Sequence, residues 1–460
     1  MESLWEAVSA YKLVITRRSA SEILLLPNSP AWELPRIAIH PQQRIAEHLT
    51  TEVRRTWGLE AYCLSFPAPR QGEDARCAVM ECVRHNDRAP AGTCWAPRQS
   101  AADGAEAQEG RLIRQSLEEL DVFVKEEKAG PFARPGWLRE LFMWVREQLE
   151  PSGLRLTGGF RQLNASPTFS LICIEADVGA VWFKATGEPN SHELPVTLAL
   201  AKLFPHFVPR ILGVHRAWNG WLSAGVPGVP LDEITDCLAW EAAARTLAEL
   251  QIASIEKGAE LLKAQFKDLR IRKLAKRIDP FVARMGELMA VQETDTPARL
   301  VESELRTLAE RLKEACALLE SLGLPDTLGH IDFNPGNILV SGDCCVFLDW
   351  AEGCVTNPLV TFEYLCEHRR RSGIKGSASR EQLVSAYLEP WTARHSRDDW
   401  RRALALSPLL AVFACAVAND SWRSANSRHI PTQAGYFRSL ARRMYRESIH
   451  AAMGSELCLD

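Results

Sequence analysis

The N-terminal part of the chain combines helix-like and strand-like hydrophobic patterns. Residues 41–57 place Ile45, Leu49 and Val53 four positions apart, which is the spacing of one helix face, and Gly58 follows as a helix stop. Short apolar runs bounded by polar turns predict strands at residues 11–16, 22–26, 61–66 and 76–83. These patterns together predict a small α+β domain.

The segment that follows this domain has no regular hydrophobic pattern. Residues 89–110 are rich in Ala, Gly, Pro and Glu without any period, which predicts a long loop or a mobile segment. A helix at residues 136–149 is predicted to link the two halves of the chain. The predicted parts are an α+β domain at 1–130, a linker helix at 131–150, a β-rich part at 151–228 and a helical part at 229–460.

The C-terminal two thirds begin with strand patterns and continue with helical ones. Residues 170–176 and 180–185 predict a β-hairpin, and a helix at 194–204 follows. A long amphipathic helix is predicted at 240–255. The longest apolar run, residues 403–418, is shorter than the roughly 20 residues that a bilayer span needs, so it predicts a buried helix.

Composition narrows the class of protein. Hydrophobic residues make up 46% of the chain and charged residues 24%, as in soluble globular proteins. The net charge of −4 favours neither a nucleic-acid nor an anionic membrane partner. The acidic N-terminus lacks the layout of a signal peptide, and the 13 cysteines include no Cys-x2-Cys pair. We therefore expect a cytoplasmic protein that does not bind membranes.

Three oxygen-bearing side chains have a spacing that is typical of a catalytic site. The chain reads His330-x-Asp332-x4-Asn337, then an apolar strand, then Asp349-Trp350. In phosphoryl transfer one carboxylate orients the attacking hydroxyl, while an amide oxygen and a second carboxylate hold Mg²⁺. A lone aspartate in a loop is more often a turn former, but the four positions in register favour a catalytic site.

This motif resembles the signature of the aminoglycoside phosphotransferase and choline kinase-like family, and the resemblance extends over residues 154–445. It implies an α+β, two-lobed protein-kinase-like fold with a small β-rich N-lobe and a helical C-lobe. It also implies that ATP and Mg²⁺ are used, that Asp332 orients the acceptor hydroxyl, and that Asn337 and Asp349 hold the metal.

Lys184 lies in the apolar strand Val181-Trp182-Phe183-Lys184-Ala185, and Glu193 follows nine residues later at the start of a helix. In kinases such a glutamate pairs with the strand lysine and directs its ammonium group to the phosphates of ATP. The alternative is an exposed strand lysine without a special role. The spacing favours Lys184 as a catalytic phosphate contact and Glu193 as its partner.

Two backbone segments are predicted to contact the nucleotide. Residues 157–168, with Gly158 and Gly159, could donate backbone N–H groups to the phosphates, although a plain strand-turn-strand connection also explains them. Residues 221–228 resemble the hinge of kinases, where the backbone of Ser223, Ala224 and Gly225 would contact adenine.

One position departs from the family. Thr361 stands where an aspartate normally braces the catalytic loop, and its hydroxyl could replace only part of a charge-assisted hydrogen bond. For the acceptor, carboxylates and tryptophans after Asp349 are available, but charged residues of this kind are more often surface groups. The candidates are Glu352, Glu363, Glu367, Trp391, Trp400, Asp420 and Trp422.

The N-terminal domain faintly resembles a Nudix domain in residues 32–35 and 51–59. Of the acidic positions that hold magnesium in that family, Glu52 is retained, and the others are occupied by Gln43, Arg55 and Thr56. A cation repels magnesium, so the resemblance implies a degenerate domain without hydrolytic activity. An unrelated small α+β domain is the alternative.

The favoured hypothesis is an ATP- and Mg²⁺-dependent kinase that phosphorylates a hydroxyl of a small molecule. Transfer to a protein hydroxyl is the lesser option, because no glycine-rich loop or Ala-Pro-Glu element is present. A non-catalytic nucleotide-binding or scaffold protein is the alternative from another class, and an active Nudix hydrolase is a third. The acceptor, the preference for ATP over GTP and the oligomeric state are left open.

Overall fold

The computed structural model describes residues 9–28, 31–40, 43–68, 76–83, 88–125, 131–372, 379–391, 395–424 and 430–456. The chain divides into two compact units. The first contains residues 1–194 and 210–225, and the second contains residues 195–209 and 226–460.

The first unit opens with a mixed sheet in the order β3-β2-β1-β6-β5, in which β4 pairs with β1 and β7 pairs with β2. Strands β1 and β6 run parallel, and the other pairs are antiparallel. Within the described ranges its elements are β1 (Ser9–Arg17), β2 (Glu22–Pro27), β3 (Trp32–Glu33), β4 (Arg36–Ile39), α1 (Ile45–Trp57), β5 (Ala61–Ser65), β6 (Arg76–Cys82), β7 (Cys94–Pro97), α2 (Arg98–Gly104) and α3 (Ala107–Lys125).

The hydrophobic pattern of this region is confirmed at every predicted strand. Helix α1 begins at Ile45, whereas residues 41 and 42 lie outside the described residues. It ends as predicted, because Gly58 adopts a left-handed backbone (φ 65°) and donates its N–H to the carbonyl oxygen of Arg54.

The loop predicted at residues 89–110 is wrong, since β7, α2 and the first turn of α3 occupy it. Alanine favours helix, and Ala101 and Ala102 are buried. A side chain at Gly110 would place its Cβ 2.3 Å from the carbonyl oxygen of Ala102. The small residues therefore serve the close packing of α2 against α3 and do not mark a loop.

A linking helix and an antiparallel sheet complete the first unit. The elements are α4 (Trp137–Leu149), β8 (Leu156–Ala165), β9 (Ser170–Ala176), β10 (Gly179–Ala185), α5 (Glu193–Leu203), which begins in this unit, β11 (Ile211–His215) and β12 (Gly220–Ala224). The strand order is β11-β12-β10-β9-β8. The predicted helix at 136–149 and the predicted hairpin are confirmed.

The two sheets of the first unit share one hydrophobic core. Val79 of β6, Trp137 of α4 and Phe183 of β10 belong to the same buried cluster. The side chain of Gln162 on β8 is fully buried and bonds to both backbone groups of Cys63 on β5, at 2.7 and 3.0 Å. The N-terminal region is therefore packed onto the second sheet, and α4 contributes Trp137 to their shared core.

The second unit is mainly helical. Its described helices are α6 (Cys237–Ala253), α7 (Gly258–Lys263), α8 (Ile271–Ala275), α9 (Ile278–Ala290), α10 (Glu302–Leu322), α11 (Pro358–Ser372), α12 (Arg380–Leu388), α13 (Arg397–Ala418) and α14 (Pro431–Glu456). Its short strands are β13 (Val229–Pro230), β14 (Lys267–Leu269), β15 (Thr327–His330), β16 (Ile338–Ser341), β17 (Cys344–Phe347) and β18 (Gly353–Thr356).

Helix α13 contains the apolar run predicted to be buried, and the prediction is confirmed. Among the described helices it alone is long and apolar enough to cross a membrane, but 56% of its most apolar 18-residue window is buried inside the protein. Phe413 of α13 packs edge-to-face on Phe281 of α9, with ring centroids 5.7 Å apart. It is therefore a core helix of this unit.

Candidate active site

The backbone of the second unit brings Asn337 next to Asp349. Asn337 closes a 3-10 turn, Pro335–Asn337, from which the β16–β17 hairpin leaves and to which it returns. The N–H of Leu348 donates to the carbonyl oxygen of Asn337 at 2.8 Å. Because Leu348 precedes Asp349, the two predicted metal ligands stand side by side.

His330 connects Asp332 to the same place. Its Nδ1 accepts the N–H of Asp332 at 3.1 Å, and its Nε2 lies 2.8 Å from the carbonyl oxygen of Asp349. A ring nitrogen that accepts carries no proton, so the proton sits on Nε2 and the imidazole is neutral. Burial lowers the pKa of His330, which agrees with this assignment. His330 therefore holds the loop and does not act as an acid or base.

The three oxygen-bearing groups are accessible. Asp332 and Asp349 are exposed, and Asn337 is half-buried. A carboxylate and an amide oxygen on neighbouring backbone fit Mg²⁺, which prefers oxygen ligands and keeps several waters or phosphate oxygens in its shell. The residues present thus fit the metal that the motif implies.

Thr361 contacts the catalytic loop. Its hydroxyl is fully buried and accepts the backbone N–H of His330 at 2.8 Å. A Cβ at Gly329 would lie 2.9 Å from this hydroxyl, so the glycine permits the close approach. The threonine consequently keeps a hydrogen bond to the loop where the family has an aspartate, without the charge of a carboxylate.

In the first unit, Lys184 and Glu193 form an ion pair. Nζ of Lys184 on β10 lies 2.5 Å from Oε1 of Glu193 at the start of α5. The glutamate side chain is 2% exposed and the lysine side chain 14%. A buried carboxylate thereby fixes the direction of the ammonium group, as the spacing predicted.

Two backbone N–H groups of the segment predicted to contact adenine already donate hydrogen bonds within the first unit. The N–H of Ala224 donates to the carbonyl oxygen of Arg210 at 2.9 Å, and that of Gly225 donates to Ala180 at 2.8 Å. Ser223 lies inside β12 and is buried. The N–H groups of Ala224 and Gly225 are therefore engaged within the first unit, and the contact of Ser223, Ala224 and Gly225 with adenine stays a prediction.

The segment predicted to contact the phosphates is a strand followed by a turn. Residues 157–165 belong to β8, and the turn occupies Ser166 to Phe169, where Ser166 and Phe169 are joined by two hydrogen bonds. Gly158 and Gly159 lie in the strand, at a shift in its register with β9. The segment thus has strand-turn-strand geometry, and its contact with phosphates stays a prediction.

The acceptor candidates mostly have structural partners. Glu363 bonds to Arg380 and to Ser407, and Glu367 pairs with Arg370, Arg371 and Arg443. Glu352 pairs with Lys267 and Asp420 with Arg423. The three tryptophans named with them, Trp391, Trp400 and Trp422, are buried in the core.

Two residues near Asp332 were not predicted from the sequence. Burial, the proximity of Cys415 and the charge of Asp332 all raise the pKa of the half-exposed Tyr436 on α14. Burial and Arg371 lower the pKa of His368 on α11, while Asp332 acts against them. Both side chains therefore lie within electrostatic reach of Asp332, and no sequence pattern indicates this, because the contacts arise from the packing of distant helices.

In the N-terminal domain Glu52 is paired with Arg55, whose guanidinium nitrogen lies 2.6 Å from it. The hydrogen bond from Arg55 lowers the pKa of Glu52. The carboxylate of Glu52 is thus paired with the cation of Arg55. The resemblance to a Nudix domain stays a prediction.

A family profile matches the part of the chain that contains most of these residues. Residues 191–406, which are 216 of the 460, match the profile of the phosphotransferase enzyme family. The matched stretch contains Glu193, Asp332, Asn337, Asp349 and Thr361, whereas Lys184 precedes it. This part of the chain matches that family, so the recognition from the motif and the α+β, protein-kinase-like fold class are confirmed.

Solved structures of small-molecule kinases resemble the chain at low identity. An ethanolamine kinase from Plasmodium vivax is 15% identical, with 66% of this chain and 88% of that chain covered and a TM-score of 0.44. A macrolide 2'-phosphotransferase from Brachybacterium faecium is 17% identical, with 63% and 97% covered and a TM-score of 0.42. A choline kinase from Cryptosporidium parvum is 14% identical, with 72% and 95% covered and a TM-score of 0.44. No curated protein sequence matches the chain.

Proposed function

We propose that the protein is a cytoplasmic, ATP- and Mg²⁺-dependent kinase that transfers the γ-phosphoryl group to a hydroxyl of a small molecule. The observation that carries the proposal is the hydrogen-bonded unit of His330, Asp332, Asn337 and Asp349, together with the Lys184–Glu193 pair. These are the parts that phosphoryl transfer requires, and the family match agrees with them.

In this proposal each residue has one task. Asp332 accepts a hydrogen bond from the acceptor hydroxyl and aligns its oxygen for in-line attack. Asn337 and Asp349 would hold Mg²⁺, which when bound neutralises negative charge on the phosphates. Lys184 contacts the phosphates, and the buried Glu193 keeps its ammonium group in place.

A mass-spectrometric metabolite screen tests the proposal, scored by the gain of one phosphoryl group in the presence of ATP and Mg²⁺. We expect Asp332→Asn to lower turnover by about 10²- to 10⁴-fold, the usual contribution of a positioned base. Asp343→Asn is the matched control, because Asp343 is exposed at the turn of the neighbouring hairpin. It removes the same charge and should leave turnover unchanged.

A thermal-shift measurement with ATP separates binding from catalysis. Asp332→Asn should keep the Mg²⁺-dependent shift of the wild type, whereas Lys184→Met and Asp349→Asn should reduce it. Normal turnover in Asp332→Asn would refute the assignment of Asp332.

A scaffold protein without catalysis is the second candidate, and Thr361 in place of an aspartate favours it. It predicts an ATP-induced thermal shift without phosphorylation of any metabolite and without slow hydrolysis of ATP. In that case Asp332→Asn would change nothing in either assay.

A further inference from the structure

A pocket of about 260 Å³ lies in the second unit between α14 and the segment that follows α9. Three arginines of α14, Arg438, Arg442 and Arg446, line it. They are four positions apart and therefore occupy one face of the helix. Like charges at this spacing repel each other, so their convergence on one pocket costs stability unless an anion offsets it.

No carboxylate offsets these charges among the residues that the structure describes. None of the three arginines forms an ion pair there, and the described lining residues include no Asp or Glu. Arg443 on the same helix is different, because it pairs with Glu367 at 3.3 Å and with Glu447 at 3.8 Å. The unpaired charge is thus confined to the face that lines the pocket.

The central arginine is held in place by neutral groups. Nε of Arg442 donates to the carbonyl oxygen of Ala298 at 2.6 Å, and Nη2 donates to the side-chain oxygen of Gln292 and to Pro297. Gln292 is itself buried and fixed by the carbonyl oxygens of Thr294 and Pro297, at 2.6 and 2.8 Å. The guanidinium group is therefore preorganised, and within the described chain its Nη1 has no hydrogen-bond partner.

The charges of the neighbours act on Arg442. Burial, followed by Arg438 and Arg446, lowers its pKa. An anion in the pocket would relieve this repulsion. Arg438 uses Nη1 to bond to the carbonyl oxygen of Leu288 at 3.2 Å, and its other nitrogens remain for a ligand.

We propose that this pocket binds a small, soluble, phosphate-bearing molecule with at least two negative charges. Planar guanidinium groups bind phosphate oxygens in pairs, and three of them suit a diphosphate or a phosphate ester with a second anionic group. The volume is below that of sites for drug-sized ligands, which limits the ligand to a small one. Ser439 adds a hydroxyl to the lining.

This site is separate from the one around Asp332. Tyr436 lies near Asp332 and precedes Arg438 by two residues, which is a rotation of about 200° around a helix. Arg438 therefore lies on nearly the opposite face of α14 from Tyr436, and the anion site does not depend on the proposed kinase activity.

Isothermal titration calorimetry of the full-length protein with pyrophosphate, in EDTA to exclude metal-bound forms, tests the proposal. We expect the wild type to bind, and Arg438→Gln and Arg446→Gln each to bind about tenfold more weakly or worse, since one charged hydrogen-bond donor is lost. Arg446 is exposed, so its variant should fold, and circular dichroism melting verifies this.

Two control variants test whether binding is specific to the pocket. Arg443→Gln removes the same charge from the part of α14 that pairs with Glu367, and it should bind pyrophosphate as the wild type does. Lys184→Met should also bind normally, because Lys184 belongs to the nucleotide site. Binding lost in Lys184→Met and kept in the Arg438 and Arg446 variants would overturn the proposal, as would a wild type that shows no binding at millimolar pyrophosphate.

A lipid headgroup carries the same chemistry and is tested separately. Sedimentation of the wild type, but not of Arg438→Gln, with vesicles containing phosphatidic acid would overturn the assignment to a soluble ligand. The absence of sedimentation, together with the calorimetric result above, supports it.

Discussion

The imidazole of His330 donates its single ring proton to the backbone carbonyl oxygen of Asp349 across 2.8 Å. The other ring nitrogen receives the backbone N–H of Asp332. One buried side chain thereby sets the separation between the proposed hydroxyl orienter and a proposed metal ligand. Asp349 has a left-handed backbone (φ 59°), which costs about 1–2 kcal/mol for a residue other than glycine. The bond from His330 helps to offset that cost.

The first prediction concerns the pH dependence of stability. Burial lowers the pKa of His330 from its ordinary 6.5. As pH falls through about 6.5 the unfolded chain therefore takes up a proton at this histidine before the folded chain does. The free energy of unfolding should decrease as pH falls below 6.5, by about 1.4 kcal/mol for each unit by which the folded pKa is lowered. Above that pH the contribution is fully present.

Urea unfolding at pH 7.5, 6.5 and 5.5 measures this effect. His330→Gln should lose less stability between pH 7.5 and 5.5 than the wild type does, although it is less stable at pH 7.5. His40→Gln is the control, since the His40 side chain is exposed, and its curve should run parallel to that of the wild type. The pH assignment fails if the His330→Gln curve is parallel as well.

The second prediction concerns the brace of the catalytic loop. Thr361→Val keeps the shape of the side chain but removes the acceptor of the His330 N–H, which is buried. An unsatisfied buried donor costs about 1–3 kcal/mol, so the free energy of unfolding should fall by that amount and turnover should fall with it. Thr361→Ser keeps the hydroxyl and should lose less than Thr361→Val. If serine costs as much as valine, the methyl packing and not the hydrogen bond is what matters.

The third prediction concerns the attachment of the N-terminal region. Gln162→Leu removes the two bonds to the backbone of Cys63 inside the core of the first unit. We expect a loss of about 2–3 kcal/mol in the free energy of unfolding, since each bond contributes about 1–1.5 kcal/mol. Arg161→Gln changes the adjacent, exposed residue, whose ion pair with Glu47 lies at the surface, and should change stability little. Equal effects of the two substitutions in urea unfolding would contradict this role for Gln162.

The parts of the site that sequence predicts are those that lie close together along the chain. Asp332, Asn337 and Asp349 fall within one short segment, so their spacing in the sequence is enough to predict that they lie close together. Lys184 and Glu193 are nine residues apart, and their pairing can be predicted from the sequence in the same way. His368 and Tyr436 were missed because only the packing of α11 and α14 brings them near Asp332.

The same distinction explains the fold. Alternating strands and the periodic helix α1 follow from local patterns, and the structure has them where expected. The helices in residues 98–110 could not be predicted from local patterns. Their alanines and Gly110 allow close contacts between helices, and composition alone does not indicate such contacts. The partners of backbone donors such as the N–H of Ala224 likewise cannot be predicted from the sequence, because they depend on strand pairing.

The last prediction concerns Arg369 on α11, whose side chain is buried although none of its three guanidinium nitrogens has a hydrogen-bond partner among the described residues. It lies over the ring of Trp240 at 4.8 Å, and burial lowers its pKa. A buried charge without a carboxylate is unfavourable, and the contact with the ring offsets only about 0.5–2 kcal/mol. Arg369→Met keeps apolar contact with the tryptophan and should raise the free energy of unfolding by about 1 kcal/mol, measured by urea unfolding. Arg370→Met, at the adjacent exposed position, should give no such gain. A destabilised Arg369→Met would instead indicate that the cation over Trp240 contributes more than its desolvation costs.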